Sequence, residues 1–243
     1  MTAPVITVPA FGSLQDGVSH FFGTKQRTPV PYETGVPAAS GSDGRHVWLL
    51  SVKQVHGTDA LIVDRPLSGE DRFEGGWDAL VTDQPDVMVI VRTADCVPVL
   101  MYDRRGKAVA AVHAGWRGAL AEIVPKTIQL MVGRFGVHIG DLRVSIGPSA
   151  GPCCYEVDQA VLEPLRGGRR DWSALLHDDR DTKARLNLKA LIQQQSLEAG
   201  ISSERITVVN VCTICHPELF YSYRREGRVN GTMLNGIALV SRR

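Results

Sequence analysis

The chain has 243 residues, 44% of them hydrophobic, and a formal charge of +1. At this length folding removes roughly 70–75% of the surface an extended chain exposes, so a core forms without disulfides or a structural metal; residues 1–243 fit one large domain. Near-neutrality argues against a broad footprint for nucleic acid or an anionic membrane, and leaves a small, locally charged ligand as the expected partner.

The opening "MTAPVITVPAFGSLQDG" is too broken by Pro, Gly and Asp to act as a secretory signal. No apolar run reaches the roughly 18 residues that span a bilayer. A cytoplasmic location is therefore expected. In that reducing compartment Cys96, Cys153, Cys154, Cys212 and Cys215 read as thiols, ligands or packing rather than as a disulfide frame.

Residues 24–46, rich in Pro, Gly, Ser and Thr, read as an irregular loop. Extended runs follow at 46–57, 59–64, 78–83, 86–92, 97–103 and 107–114. Helical spacing runs from Ala119 to Phe135, through Leu120, Ile123, Val124, Thr127, Ile128 and Met131, and Pro125 must kink or divide it. A strand at 142–149 precedes a short helix from Glu156 to Leu165. The polar stretch 166–185 reads as a surface excursion with solvated arginines. A third helix spans Leu188 to Ala199, with Asn187 as N-cap and Gly200 as its stop, and strands at 205–212 and 231–240 complete the set. Many strands and few helices indicate an α+β fold with layered mixed sheets.

The runs "VPVLMYD" and "KAVAAVHA" flank "DRRG" and read as an antiparallel hairpin. Centring the turn on Arg104 and Arg105 sets Tyr102 opposite Lys107 and Cys96 opposite His113. Opposed residues share one face, with Cβ atoms about 4.5–5.5 Å apart. That spacing suits two ligands of one ion, and equally a Cys–His dyad. It also suits a buried histidine beside a small apolar cysteine. A third ligand is needed for the metal reading, and His56, which ends "LLSVKQVH" before Gly57, is the best supplier. His20, His46, His138 and His177 lie in loop-like surroundings and read as surface residues.

The segment "CTICH" (212–216) matches the C-x-x-C-H pattern of haem attachment, which the missing export signal disfavours. A redox pair or a structural zinc shared with Cys153 and Cys154 is an alternative, although adjacent cysteines rarely chelate one ion comfortably. Packing is the default. The role of Asp95, next to Cys96, stays open, and the Arg224–Arg225 pair binds an anion or solvates a loop.

The segments "KQVHG" (53–57), "DALVTD" (78–83), "TADCVPVL" (93–100), "HAGWRG" (113–118), "IGPSAGPCCYEV" (146–157) and "CTICHPELFYSYRREGR" (212–228) resemble, in order, those of the YfiH-type laccase-domain family. That family is also described as multicopper-polyphenol-oxidase-like or as purine nucleoside phosphorylases. The resemblance implies a layered α/β/β/α arrangement and a zinc ion held by His56, Cys96 and His113, with copper as a second possibility. It further implies phosphorolysis of adenosine, inosine or methylthioadenosine, with phosphate as co-substrate, and hydrolytic deamination of adenosine. Some members are described as copper-dependent oxidases of phenols. The chain departs from the pattern after "GVSHFFGTK", where a Pro-rich loop replaces the usual "SLNLG" type of segment.

Two histidines and a cysteine leave a zinc ion one open position, as at catalytic sites. The H-x-E and P-C-x-x-C deaminase signature is absent. Phosphate is expected at the glycine turn of "HAGWRG", where Gly115 opens a helix whose N-terminal N–H groups are free and Arg117 adds a bidentate contact; Trp116 reads as packing. Rival readings are a metal-free thiol hydrolase with Cys96 as nucleophile and His113 as base, a copper phenol oxidase, for which three ligands are too few, and a partner-binding module.

Overall fold

The apolar runs in the middle of the chain form strands buried on both faces, and this explains their near-continuous hydrophobicity. A computed structural model describes residues 5–13, 16–25, 35–36, 38–40, 47–168 and 172–240. A five-stranded sheet has the order β1 (Val18–Phe22), β14 (Met233–Leu239), β6 (Val87–Thr93), β3 (Val47–Ser51) and β2 (Ala38–Ser40). A six-stranded sheet has the order β13 (Ile206–Val208), β9 (Leu142–Ile146), β7 (Val97–Asp103), β8 (Val109–Ala114), β5 (Ala79–Thr82) and β4 (Ala60–Val63). β3 with β6, β4 with β5 and β13 with β9 are parallel, and the other pairs in these two sheets are antiparallel. The fold is α+β with mixed sheets, as expected.

Period-2 alternation along β7 and β8 sorts their side chains into two cores. Leu100, Tyr102, Val109 and Ala111 pack against Phe22, Leu50, Val89, Val91 and Ile237, between the two sheets. Val97, Val99, Met101, Ala110, Val112 and Ala114 face the helices instead. These are α1 (Trp116–Leu120), α2 (Ile123–Phe135) and α4 (Leu188–Glu198), with α3 (Gln159–Gly167) beside them. No helix of the described residues is long and apolar enough to cross a membrane.

Pro125 does divide the long helical pattern, but the break falls before it. Glu122 adopts a left-handed φ of 63° between α1 and α2, which leaves Pro125 in the first turn of α2, where a missing N–H breaks no helical bond. α4 begins and ends as expected: the Asn187 side chain accepts the Ala190 N–H at 3.1 Å, and Gly200 follows at φ 96°. α3 starts later than its pattern predicts, because Glu156–Asp158 (β10) pairs with β12 (Lys183–Leu186). With β11 (Leu176–His177), these form a small third sheet. The stretch 166–185 is thus not a simple solvated excursion. It buries Trp172, and Arg166 grips both carboxylate oxygens of Asp179, at 2.5 and 2.6 Å.

The β7–β8 hairpin departs from its expected register by two residues. Pro98, not Cys96, lies opposite His113, and Tyr102 lies opposite Val109. Arg104 and Arg105 do sit at the centre of the turn, closed by Gly106 N–H to the Asp103 carbonyl at 2.8 Å. Gly106 then takes φ 72°, and the Asp103 carboxylate accepts the N–H groups of Arg105 and Lys107, so Gly106 and Lys107 extend the loop rather than pair. A two-residue shift preserves the face of every side chain. Cys96 is left just before β7, in the turn that leads out of β6.

His20 is not a surface residue. It lies on β1 with Val18 and Phe22 on the inward face, is 7% exposed, accepts the Val8 N–H on Nε2 at 2.9 Å and meets the Phe11 ring edge-on. His138 and His177 are exposed as expected, and His46 lies outside the described residues, as does most of the 24–46 loop. Burial lowers the His20 pKa below its ordinary value. Its contribution to stability is therefore complete above the unfolded value near 6.5 and is lost as pH falls below it, until the folded value is passed. In urea titrations a His20→Phe variant should lose less stability on acidification than the parent. At neutral pH it should be about 1–2 kcal/mol weaker through the orphaned Val8 N–H; an unchanged acid slope would contradict this assignment.

Candidate metal centre

Asp78, which leads into β5, is the residue on which the centre is built. Its carboxylate is fully buried and accepts the backbone N–H groups of Val55 at 3.2 Å, His56 at 3.0 Å and Gly57 at 2.6 Å. Nδ1 of His113 lies 2.7 Å from the same carboxylate, and the Asp78 carbonyl accepts the His113 N–H at 2.7 Å. The β5–β8 register, Ala79 opposite Val112, places the two residues together at the strand ends. Burial opposes ionisation of Asp78, but His113 and the Gly57 and His56 N–H groups outweigh it and hold the carboxyl below its usual value.

The chain leaves β3 after Ser51, so the expected strand 46–57 ends early and residues 52–57 form a loop. His56 sits at φ 60°, a left-handed conformation that costs a residue with a Cβ roughly 1–2 kcal/mol. The hydrogen bonds to Asp78 offset that strain. Cys96 follows Asp95, which is also left-handed at φ 92°. The Asp95 carboxylate accepts Thr213 Oγ1 at 2.6 Å, Ser222 Oγ at 2.9 Å and the Arg224 N–H at 2.7 Å, and its carbonyl accepts the Ala150 N–H at 2.9 Å. Asp95 thus anchors the turn that presents Cys96.

One ligand atom from each of His56, Cys96 and His113 lies within 4.8 Å of the others. His56 Nε2 is 3.8 Å from Cys96 Sγ, and the two imidazoles meet edge to face with centroids 4.8 Å apart. With Nδ1 committed to Asp78, His113 has Nε2 left to offer, and the carboxylate fixes both tautomer and ring angle. Burial would raise the Cys96 pKa, but the adjoining imidazoles of His113 and His56 bring it down to about 6. Burial would lower the His113 pKa, but Asp78 and Cys96 bring it up to about 9. The donor set, two imidazoles and an easily ionised thiol, fits zinc or copper better than a hard cation.

Gly115 makes the convergence sterically possible. A Cβ there would lie 2.8 Å from His56 Cδ2 and 3.2 Å from Cys96 Sγ. Its place is therefore against the ligands, and α1, which it opens, has only five residues, too few to build much of the dipole expected to attract phosphate. Arg117 is exposed and stacks on Trp116, 4.2 Å from the ring centroid. Trp116 itself packs partly against the helix-side core, as expected.

The three ligands open into a cavity of about 640 Å³. Its walls bring together Lys53, Arg92, Arg117 and Arg224 with the rings of Trp116, Tyr155 and Tyr223. The Arg224 guanidinium lies over Tyr155, 5.3 Å from its centroid, and donates to the Glu156 carbonyl. Its partner Arg225 turns away, to the carbonyls of Thr213, Ile214 and Phe220. Reading the sequence alone singled out Arg117 and the Arg224–Arg225 pair but missed Asp78, Lys53 and Arg92. The signal for Asp78 was an aspartate at the head of an apolar strand; Lys53 and Arg92 come from segments far apart in the chain and carried none.

A purine nucleoside phosphorylase from Bacteroides thetaiotaomicron is 35% identical over 192 residues, covering 76% of this chain and 71% of that protein. One from a Synechocystis strain is 39% identical over 196 residues, covering 72% and 74% respectively. The crystal structure of YlmD from Geobacillus stearothermophilus superposes with a TM-score of 0.77 at 27% identity, over 96% of this chain and 94% of that one. That of the Bacillus licheniformis hypothetical protein YfiH gives 0.76 at 27% identity, over 91% and 92%. The family model described as multi-copper polyphenol oxidoreductase laccase matches residues 38–240, and the chain belongs to that YfiH-type laccase-domain family.

Proposed function

We propose that the protein is a zinc-dependent purine nucleoside phosphorylase, with His56, Cys96 and His113 as both metal ligands and catalytic centre. The observation that carries this reading is the convergence of the three residues in a cavity that cations and aromatic rings also line. The names of the curated relatives support the substrate class. A cavity of about 640 Å³ is within the usual range of roughly 300–1,000 Å³ for small-ligand sites.

Phosphorolysis breaks the bond from sugar C1′ to the purine nitrogen, forms a bond from C1′ to an oxygen of hydrogen phosphate, and passes the proton that the phosphate loses to the departing purine. Arg117, Arg224 and Lys53 face the cavity and would hold the phosphate charge, the guanidinium groups by paired N–H donors. Trp116, Tyr155 and Tyr223 offer faces for the purine. When bound, the ion supplies Lewis acidity at the floor of the site. Asp78 holds His113 Nδ1 and so aims Nε2 into the site, and the absence of a Gly115 side chain keeps the approach to Cys96 open. Adenosine deamination and methylthioadenosine phosphorolysis are part of the proposal, because one site holding both a purine and a Lewis acid can serve each.

A second reading draws on the low pKa of Cys96 beside the raised one of His113, a thiolate–imidazolium pair able to act as nucleophile and acid in a metal-free hydrolase. The copper oxidase reading gains no such support. Among the described residues no further histidine joins the three-ligand group.

Purified protein given inosine, adenosine or methylthioadenosine should release free base only when phosphate is present. Cys96→Ala should lose the ion and more than about 100-fold in rate, beyond the usual effect of losing an outer-shell partner. Full activity after exhaustive chelation, abolished by thiol alkylation, would decide for the hydrolase. A second variant examines the support of the ligands. Asp78→Asn should weaken zinc binding by about 10–100-fold and recover rate when zinc is added in excess; loss of rate with unchanged zinc affinity would show that Asp78 acts otherwise.

A further inference from the structure

The four cysteines outside the centre converge as well. Sγ of Cys154 is 3.3 Å from that of Cys215, Sγ of Cys153 is 3.5 Å from it, and all four sulfurs, Cys212 included, lie within 4.8 Å of one another. Four sulfurs each about 2.3 Å from one tetrahedral ion are separated by about 3.8 Å. The cluster therefore already has nearly the dimensions of a tetrathiolate site. The geometry points to a second metal centre in this protein, a structural zinc ion held by Cys153, Cys154, Cys212 and Cys215.

The difficulty with adjacent cysteines is removed by the local backbone. In an extended chain Cys153 and Cys154 would face opposite ways. Here the N–H groups of Cys154 and Tyr155 both close on the Gly151 carbonyl, at 3.0 and 2.9 Å, and the resulting turn sends both sulfurs to one side. The segment from Cys212 to Cys215 is a second tight turn. The Gly151 N–H points at Cys212 Sγ at 3.3 Å, and those of Cys215 and Ile214 also act on it, an arrangement that favours thiolate over thiol. A parallel bridge between Ser149 and Cys212, with the Thr213 N–H on the Ser149 carbonyl at 3.0 Å, holds the two turns together.

Two further features suit an ion here. A zinc with four thiolates carries a net negative charge, and the buried Lys189 ammonium, held by the carbonyls of Val211 at 3.0 Å and Val209 at 3.4 Å, interacts electrostatically with Cys212 and Cys153. A Cβ on Gly151 would lie 3.3 Å from Cys153 Sγ and 3.2 Å from Cys212 Cβ, so the glycine leaves the room that the sulfurs use. The ion would clamp the segment that carries Thr213, which holds Asp95, and the segment that leads into Tyr155 of the cavity wall. Its role is to brace the catalytic centre from behind. No ligand position is left open for chemistry.

The test uses a chain in which His56, Cys96 and His113 are all changed to Ala, purified under reducing conditions without chelator. Elemental analysis should find one zinc per chain, and adding Cys212→Ser should remove it and lower the unfolding temperature. Because the added change could itself prevent folding, cobalt is exchanged into the parent triple variant as a second readout. The intense visible and sulfur-to-cobalt charge-transfer bands of a four-sulfur tetrahedral ion are expected. A triple variant with no metal and no such bands, or a Cys154–Cys215 disulfide recovered from the reduced, zinc-supplied protein, would overturn the site. Iron in place of zinc would overturn the choice of ion.

Discussion

One buried carboxylate organises the candidate metal centre. Asp78 has no exposure to solvent, and its two oxygens receive three backbone N–H groups and an imidazole. A buried charge is stable only when its acceptor capacity is met in this way. Satisfying it draws residues 55–57 against the end of β8, and His56 is thereby brought to His113. The left-handed backbone of His56 is tolerated because three of these four hydrogen bonds depend on it or on its neighbours.

The rigidity behind this arrangement comes from β7 and β8. Both strands are buried along their whole length, with one face against the second sheet and the other against α2 and α4. Two-sided burial leaves little freedom for strand ends to shift, and Cys96 and His113 stand at those ends. Gly115 then turns the chain away without a side chain to crowd them. The candidate centre is thus a product of strand ends and turns, with the helices serving as cover.

Much of this was legible in the sequence, and the remainder was hidden for identifiable reasons. Cys96 and His113 converge even though the hairpin register was off by two, because the turn anchored by Asp95, not cross-strand pairing, presents the cysteine. Gly106 in a left-handed turn, not the strand pattern, set the loop length. His20 was misjudged because its neighbours Ser19 and Phe21 obscure the Val18, His20, Phe22 alternation in a segment that also looks like a turn. Asp78 could not be found by composition, since a carboxylate at a strand start normally caps a turn in solvent. The cysteine cluster joins two segments about sixty residues apart, and proximity of that kind leaves no periodic trace. Trp172 was hidden inside a stretch whose arginines and aspartates pair with one another.

The anchoring of Asp95 has a consequence for the order in which the molecule assembles. Its carboxylate is held by Thr213, Ser222 and Arg224, partners more than a hundred residues downstream. Contacts across such separations close slowly, because the loop entropy must be overcome before they form. During synthesis the nascent chain therefore has His56, Cys96 and His113 in hand long before the turn bearing the cysteine can be locked. The candidate centre therefore reaches its final geometry only after residues 213–224 have joined the fold.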